Sequence, residues 1–194
     1  MDRRAFFRRA LHKTGETVVR GLDERIAAQA RRWIRPPWAQ AELEFLLACT
    51  RCGDCIQACP HQVVFALPAR VGMHFAGTPA LDLLNRGCHL CPDWPCGNAC
   101  TTGALRPPRA GSDEPSAPPP FALARIDPER CLPYQGPECG ACEHACPVPG
   151  ALRWKGPRPQ TDTTLCVGCA RCREACIVAP SAVIIEAAPL ERRT

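Results

Sequence analysis

Hydrophobic positions in this chain fall in short, separated blocks. Over residues 1–35, Phe7, Leu11, Val18, Leu22, Ile26 and Trp33 gather on one face when each residue is turned by about 100°. Arg9, Lys13, Glu16, Arg20, Asp23, Glu24 and Arg31 point elsewhere. The pattern predicts a helix or a pair of helices, weakened by Gly15, Gly21 and the intrusion of Arg25 on the apolar arc. Arg35-Pro36-Pro37 ends it, because proline disfavours helix at the residue before it. A short helix is expected over 39–48. Beyond it, blocks of strand length and composition at 63–67, 121–126, 151–154 and 182–185 predict short strands. Residues 70–87 read as a loop-rich insertion with a short helix over 80–85. Residues 106–120, with six prolines, read as an extended, poorly ordered connector. No run of 18 or more apolar residues is present, so no segment is expected to span a membrane.

Composition sharpens this picture. In 194 residues there are 16 cysteines, 22 prolines and 14 glycines, while aromatic residues make up only 6%. Such a chain builds little apolar core, and bound metal is one of the few things that can hold it together. The net charge of +5 is uneven: residues 1–35 carry ten Lys/Arg against four Asp/Glu, and the rest carries fourteen against fifteen. Basic residues interleaved with aromatics on a folded face are missing, so no nucleic-acid partner is expected. Arg3-Arg4-x-Phe6-Phe7 resembles the twin-arginine export signal. Arg8, Arg9, His12 and Lys13 follow where such a signal needs an apolar segment. The expectation is therefore a cytoplasmic protein, with its basic arm able to lie at a membrane surface; export to the periplasm is the alternative.

The cysteines carry the chemistry. Cys49, Cys52, Cys55 and Cys59, followed by Pro60, form the C-x2-C-x2-C-x3-C-P run that holds [4Fe–4S] clusters, in which the fourth cysteine serves a neighbouring cluster. Three more runs follow. Cys88, Cys91, Cys96 and Cys100 have two extra residues in the middle interval. Cys131, Cys139, Cys142 and Cys146 have a first interval stretched to seven residues. Cys166, Cys169, Cys172 and Cys176 are regular. Four runs of four use all sixteen cysteines. Disulfides would need an oxidising compartment. Zinc sites usually place two C-x2-C pairs a dozen or more residues apart. Four [4Fe–4S] clusters fit the spacing better than either. Gly53, Gly140 and Gly168 lie inside the loops, where a missing side chain lets backbone N–H groups approach the cluster. With every cluster already given four thiolates, His61, His89 and His144 are not needed as ligands. Trp94 and Trp154 are candidates to cover clusters from water.

The sequence resembles the four-cluster ferredoxin-type proteins of the NapG/MauM group, encoded with periplasmic nitrate reductase and methylamine utilisation systems. The resemblance rests on D-R-R-A-F-F-R at the start, R-W-I-R-P-P, C-T-R-C-G-D-C-I-Q-A-C-P, T-P-A-L-D-L-L-N-R and C-H-L-C-P-D-W-P-C. The spacing of the second run also resembles electron-transfer subunits of molybdenum oxidoreductases, whose runs pair in a nested way. That likeness implies Cys49, Cys52 and Cys55 with Cys176, and Cys166, Cys169 and Cys172 with Cys59. It also implies Cys88, Cys91 and Cys96 with Cys146, and Cys131, Cys139 and Cys142 with Cys100. The alternative pairs the first run with the second and the third with the fourth.

These readings converge on an α+β protein: two ferredoxin-like dicluster modules with short strands and cysteine loops, preceded by a helical arm. The expected divisions are a basic arm over 1–38, a four-run body over 39–189 and a tail over 190–194. The expected function is electron transfer through four [4Fe–4S] clusters between a donor and a partner oxidoreductase. No nucleophile, acid–base pair or open metal position marks an enzyme. The partner is expected to be a redox protein or a membrane-associated oxidoreductase, docked through residues 1–35. An assembly or maturation factor, or a fixed subunit of a larger oxidoreductase, is the alternative.

Overall fold

The computed structural model describes residues 33–108 and 120–188. Residues 1–32 of the predicted arm, most of the proline-rich connector and the tail lie outside the described residues. The rest is α+β, made of short helices and three antiparallel strand pairs. No helix among the described residues is long and apolar enough to cross a membrane.

The first half opens with a buried anchor. Arg35 pairs with Glu42 at 2.6 Å, and its Nη1 donates to the Thr78 hydroxyl and the Pro79 carbonyl, each at 2.8 Å. Glu42 begins α1 (Glu42–Ala48), where it and Glu44 complement the positive end of the helix dipole. Phe45, one turn further on, is fully buried under the Arg35 guanidinium, 4.5 Å from its ring centre. The helix delivers the chain to Cys49 in an extended conformation. After the first cysteine run comes β1 (Val64–Ala66), paired antiparallel with β2 (Pro79–Leu81) so that Val64 faces Leu81. The second run follows. An antiparallel bridge between Ala39 and Leu105 then closes the half, joining the chain that enters to the chain that leaves.

The second half repeats this plan. β3 (Ala122–Ile126) enters and β6 (Val183–Ala187) leaves, paired antiparallel from Ala122–Ala187 to Ile126–Val183. Between the two cysteine runs lies a hairpin, β4 (Leu152–Lys155) and β5 (Arg158–Thr161). Its two-residue turn is Gly156-Pro157, with Gly156 at φ 60°, a conformation that glycine takes without strain. The stretched interval of the third run is taken up by a short inserted helix over Leu132–Gln135. In each half an outer pair of chain ends encloses an inner hairpin, and a cysteine run sits at each end of that hairpin.

The expected helix over 39–48 is present in shortened form. The strands expected at 63–67, 121–126, 151–154 and 182–185 are each found within a residue or two. The helix expected over 80–85 is not formed. Residues 79–81 are β2 and the segment after it is a turn. Tertiary pairing overrides the local pattern, because Ala80 faces Phe65 across the hairpin and the Leu81 N–H is taken by the Ile34 carbonyl at 2.8 Å.

The two halves share one core. Val63, Val64, Leu81 and Leu83 of the first pack with Phe121, Ala122, Val167 and Ala170 of the second. The seam between the halves is thus a buried apolar interface, and it runs directly beside cysteines 59, 88 and 169.

Candidate metal centres

Three of the four cysteine runs share one backbone plan. The residue before the second cysteine is left-handed: Arg51 (φ 61°), Leu90 (φ 51°) and Gly168 (φ 78°). So is the residue that caps the following helix: Gly53 (φ 85°), Trp94 (φ 43°) and Ala170 (φ 62°). The helices are α2 (Asp54–Gln57), α3 (Pro95–Asn98) and α5 (Arg171–Glu174), and each carries the third cysteine at its second position. For Arg51, Leu90, Trp94 and Ala170 a left-handed conformation costs about 1–2 kcal/mol each. Alternation between right- and left-handed residues turns successive N–H groups into one concavity, a geometry suited to an anionic ligand. The two extra residues of the second run, Pro92 and Asp93, are absorbed before the cap. The third run departs from the plan: α4 (Leu132–Gln135) is inserted, with Cys131 as its N-cap, and the Tyr134 hydroxyl pins it to the Pro159 carbonyl at 2.9 Å.

These loops bring the sixteen cysteines to four cavities, four to each. Site I is lined by Cys49, Cys52, Cys55 and Cys100. Site II is lined by Cys59, Cys88, Cys91 and Cys96. Site III is lined by Cys146, Cys166, Cys169 and Cys172. Site IV is lined by Cys131, Cys139, Cys142 and Cys176. The atom-free space, including the open mouth, is 370, 350, 330 and 360 Å³ in that order. Each cavity takes three cysteines from one run and the fourth from the other run of the same half. This corrects the nested expectation: Cys59 lines a cavity with Cys88, not Cys166, and Cys176 with Cys131, not Cys49. The inner hairpin of each half is the reason, since it folds the end of one run back onto the start of the next.

The donor set discriminates between ligands. None of the cysteines forms a disulfide. Among the described residues, no three His, Cys, Asp or Glu side chains come close enough to hold one metal ion. Tetrahedral zinc, with Zn–S near 2.3 Å, would need the sulfurs to stand about 3.8 Å apart. Four thiols around a wider cavity fit a polynuclear iron–sulfur group.

Electrostatics point the same way. Burial pushes the Cys55 thiol up to about 12, and the neighbouring Cys49, Cys100 and Cys52 thiolates add to it. Burial likewise pushes Cys88 to about 12 and Cys96, Cys142 and Cys169 to about 11. Thiols raised in this way give up their protons near neutral pH only beside a cationic core, which iron supplies. Backbone N–H groups oppose burial: those of Leu90, Gly97 and Arg171 hold down Cys88, Cys96 and Cys169. At Cys100 they prevail. Burial raises that thiol, but the Leu105 N–H, 3.4 Å from Sγ, and the Thr102 hydroxyl bring it below its ordinary value. The Ser181 hydroxyl and the Val178 N–H do the same for Cys176.

The remaining expected residues take distinct places. Gly53 lines site I and Gly168 lines site III. Gly140 is exposed, between Cys139 and Ala141, both of which line site IV. Trp94 is among the residues lining site II, and Trp154 among those lining site IV. The Trp154 indole N–H is buried with no protein acceptor. His144 is exposed. His61 and His89 form a feature that spacing could not show. Their rings stack at 3.4 Å, 3° from parallel, against site II. Arg171, from the second half, reaches the His89 Nδ1 at 2.5 Å. Because a guanidinium only donates, that nitrogen accepts. Burial, the Arg171 charge and His61 together hold His89 below its ordinary value.

No family model matches the chain. It is similar to methylamine utilization ferredoxin-type protein MauM of Methylobacillus flagellatus, 34% identical over 200 residues, which cover 94% of this chain and 82% of that protein. It is also similar to ferredoxin-type protein NapG of Haemophilus influenzae, 32% identical over 203 residues (95% and 71%). NapG of Escherichia coli is 31% identical over 198 residues (93% and 84%).

Proposed function

The chain belongs to the family of ferredoxin-type proteins that includes MauM and NapG, and from this premise we propose that it carries electrons through four [4Fe–4S] clusters. Two ferredoxin-like dicluster modules would hold them, two clusters each. The observation that carries this reading is the convergence of sixteen cysteines into four cavities of nearly equal size. Each quartet of cysteines would hold one cluster. The bound group supplies one-electron chemistry with its ligands unchanged.

The chain's own residues set the order of the relay. Cys55 of site I and Cys96 of site II lie close enough for their charges to repel. Cys88 of site II and Cys169 of site III do the same, as do Cys172 of site III and Cys142 of site IV. The order is I, II, III, IV. Sites II and III lie inside, each with at least two cysteines buried. Site I reaches the surface at Cys52, which is exposed, and three of the four cysteines of site IV are partly exposed. Electrons therefore enter and leave at sites I and IV, between a donor and a partner oxidoreductase. The ferredoxin-type names of the relatives, and the methylamine utilization in that of MauM, support a redox partner of this kind.

Iron and sulfide counting on anaerobically purified protein tests the reading. About sixteen iron and sixteen sulfide per chain are expected from four such clusters. Zinc, or iron sufficient for only one cluster, overturns it.

A further inference from the structure

Sites II and III belong to different halves, and the relay proposed above must cross the seam between them. At that seam the Cys88 N–H donates to the Cys169 carbonyl at 2.7 Å, joining a cysteine of one half to a cysteine of the other. Gly87, immediately before Cys88, is buried. It is not among the left-handed glycines, so its backbone could accept a side chain. The neighbours could not. A Cβ on Gly87 would stand 2.7 Å from the Arg171 Cδ, 2.9 Å from a Glu174 carboxylate oxygen and 3.0 Å from the Arg171 Cα. The last is the backbone of α5, the helix that carries Cys172. Two arginines of the same helix clamp the first half on either side of Gly87. Arg171 holds His89, and the Arg173 Nε donates to the Leu84 carbonyl at 3.1 Å.

We infer that Gly87 is a positioning residue for electron transfer between the halves: its missing side chain lets α5 approach closely enough for Cys88 and Cys169 to meet. The inference rests on the four-cluster reading. The transfer it serves is a one-electron exchange, one site oxidised as its neighbour is reduced, with no bond made or broken. Close packing for stability alone is the competing account. It would make Gly87 substitutions lower stability without separating the two halves magnetically.

The test uses the full chain, purified anaerobically, as native protein, G87V and G87A. Three things are measured: iron per chain, hydrogen exchange at the Cys88 amide, and magnetic interaction between reduced clusters by electron paramagnetic resonance. In the native protein, full iron with interaction extending across both halves is expected. In G87V the expected result is full iron, faster exchange at the Cys88 amide and loss of the interaction between the halves, while the interactions within each half persist. G87A, with one methyl, is expected to show a smaller change in the same direction, and it decides the matter should G87V fail to load. Full iron with an unchanged interaction, or an unchanged Cys88 amide, overturns the role of Gly87. Low iron in the native protein instead overturns the four-cluster reading, so the two failures are distinct.

Discussion

The Arg35 guanidinium and the Glu42 carboxylate meet at 2.6 Å, and each side chain is only 6% exposed. Arg35 also satisfies the Thr78 hydroxyl and the Pro79 carbonyl, so one side chain ties the chain before α1 to the start of β2. Replacing Arg35 by Met leaves a buried carboxylate without its partner. Removing one member of a buried pair costs about 3–5 kcal/mol, mostly through the charge left behind. In a chain of this size that lowers the apparent Tm by on the order of 10 °C. Combining Arg35→Met with Glu42→Leu should restore part of the loss, because the orphaned charge is then gone. Thermal unfolding under anaerobic conditions measures both, and equal losses in the single and double variants would count against a buried-charge penalty.

Cys59 and Cys100 exchange places between the two sites of the first half. Cys59 completes the cavity of Cys88, Cys91 and Cys96, and Cys100 completes that of Cys49, Cys52 and Cys55. Cys59→Ala is therefore expected to alter the same paramagnetic signal as Cys88→Ala, and a different one from Cys49→Ala. The double variant Cys59→Ala/Cys91→Ala should affect no more clusters than either single change. Had the runs been nested, Cys59→Ala would instead share its signal with Cys166→Ala. Spectra of the four single variants, recorded at equal reduction, separate the two arrangements.

The same cysteines show what the sequence could and could not reveal. The runs were legible because three thiolates around one cluster demand short, fixed spacings. Which run supplies the fourth was not, because Cys59 and Cys176 stand at the same spacing from their own runs under either arrangement. The choice is made elsewhere, by the β1–β2 and β4–β5 hairpins. β5 (Arg158–Thr161) had no signal of its own, being R-P-Q-T; it is a strand because Gly156 turns it back onto β4. Glycine marked two of the left-handed positions, Gly53 and Gly168. Arg51, Leu90, Trp94 and Ala170 are held in that conformation by the loop around them, and nothing in those residue types announces it. Gly87 was invisible for the opposite reason, since its backbone is ordinary and only its neighbours require glycine.

Trp94 is 9% exposed, lines site II and meets Trp38 edge-on with ring centres 5.4 Å apart. Trp94→Ala removes that packing at a cost of about 3–5 kcal/mol, and it opens site II to water. Exposed to air, the variant should lose the site II signal well before the other three. Trp154→Ala should direct the same damage to site IV, which Trp154 lines. The check is signal decay followed in parallel for the two variants. Uniform loss from all four sites in both would show that neither indole shields a particular cavity.

Gly53 and Gly168 are both left-handed, at φ 85° and 78°, yet they should respond very differently to a methyl group. Around Gly53 nothing lies within 4 Å of the added Cβ. Gly53→Ala therefore carries only the conformational penalty, about 1–2 kcal/mol. At Gly168 the added Cβ would stand 2.1 Å from the Ala122 carbonyl carbon and 2.3 Å from its oxygen. These are backbone atoms of β3, which no rotamer change can move aside. The Phe121 and Ala122 N–H groups both donate to the Val167 carbonyl at 3.2 Å, so moving β3 away also breaks the contact that seats it on the fourth run. Overpacking adds about 1–3 kcal/mol or more to the same conformational penalty. Gly168→Ala should thus cost clearly more than Gly53→Ala and should disturb site III, where Gly168 and Cys169 adjoin. Denaturant unfolding of the two loaded variants, with iron counted on each, gives the comparison. Equal destabilisation would mean that the left-handed backbone alone accounts for both glycines, and that β3 yields more readily than its contacts indicate.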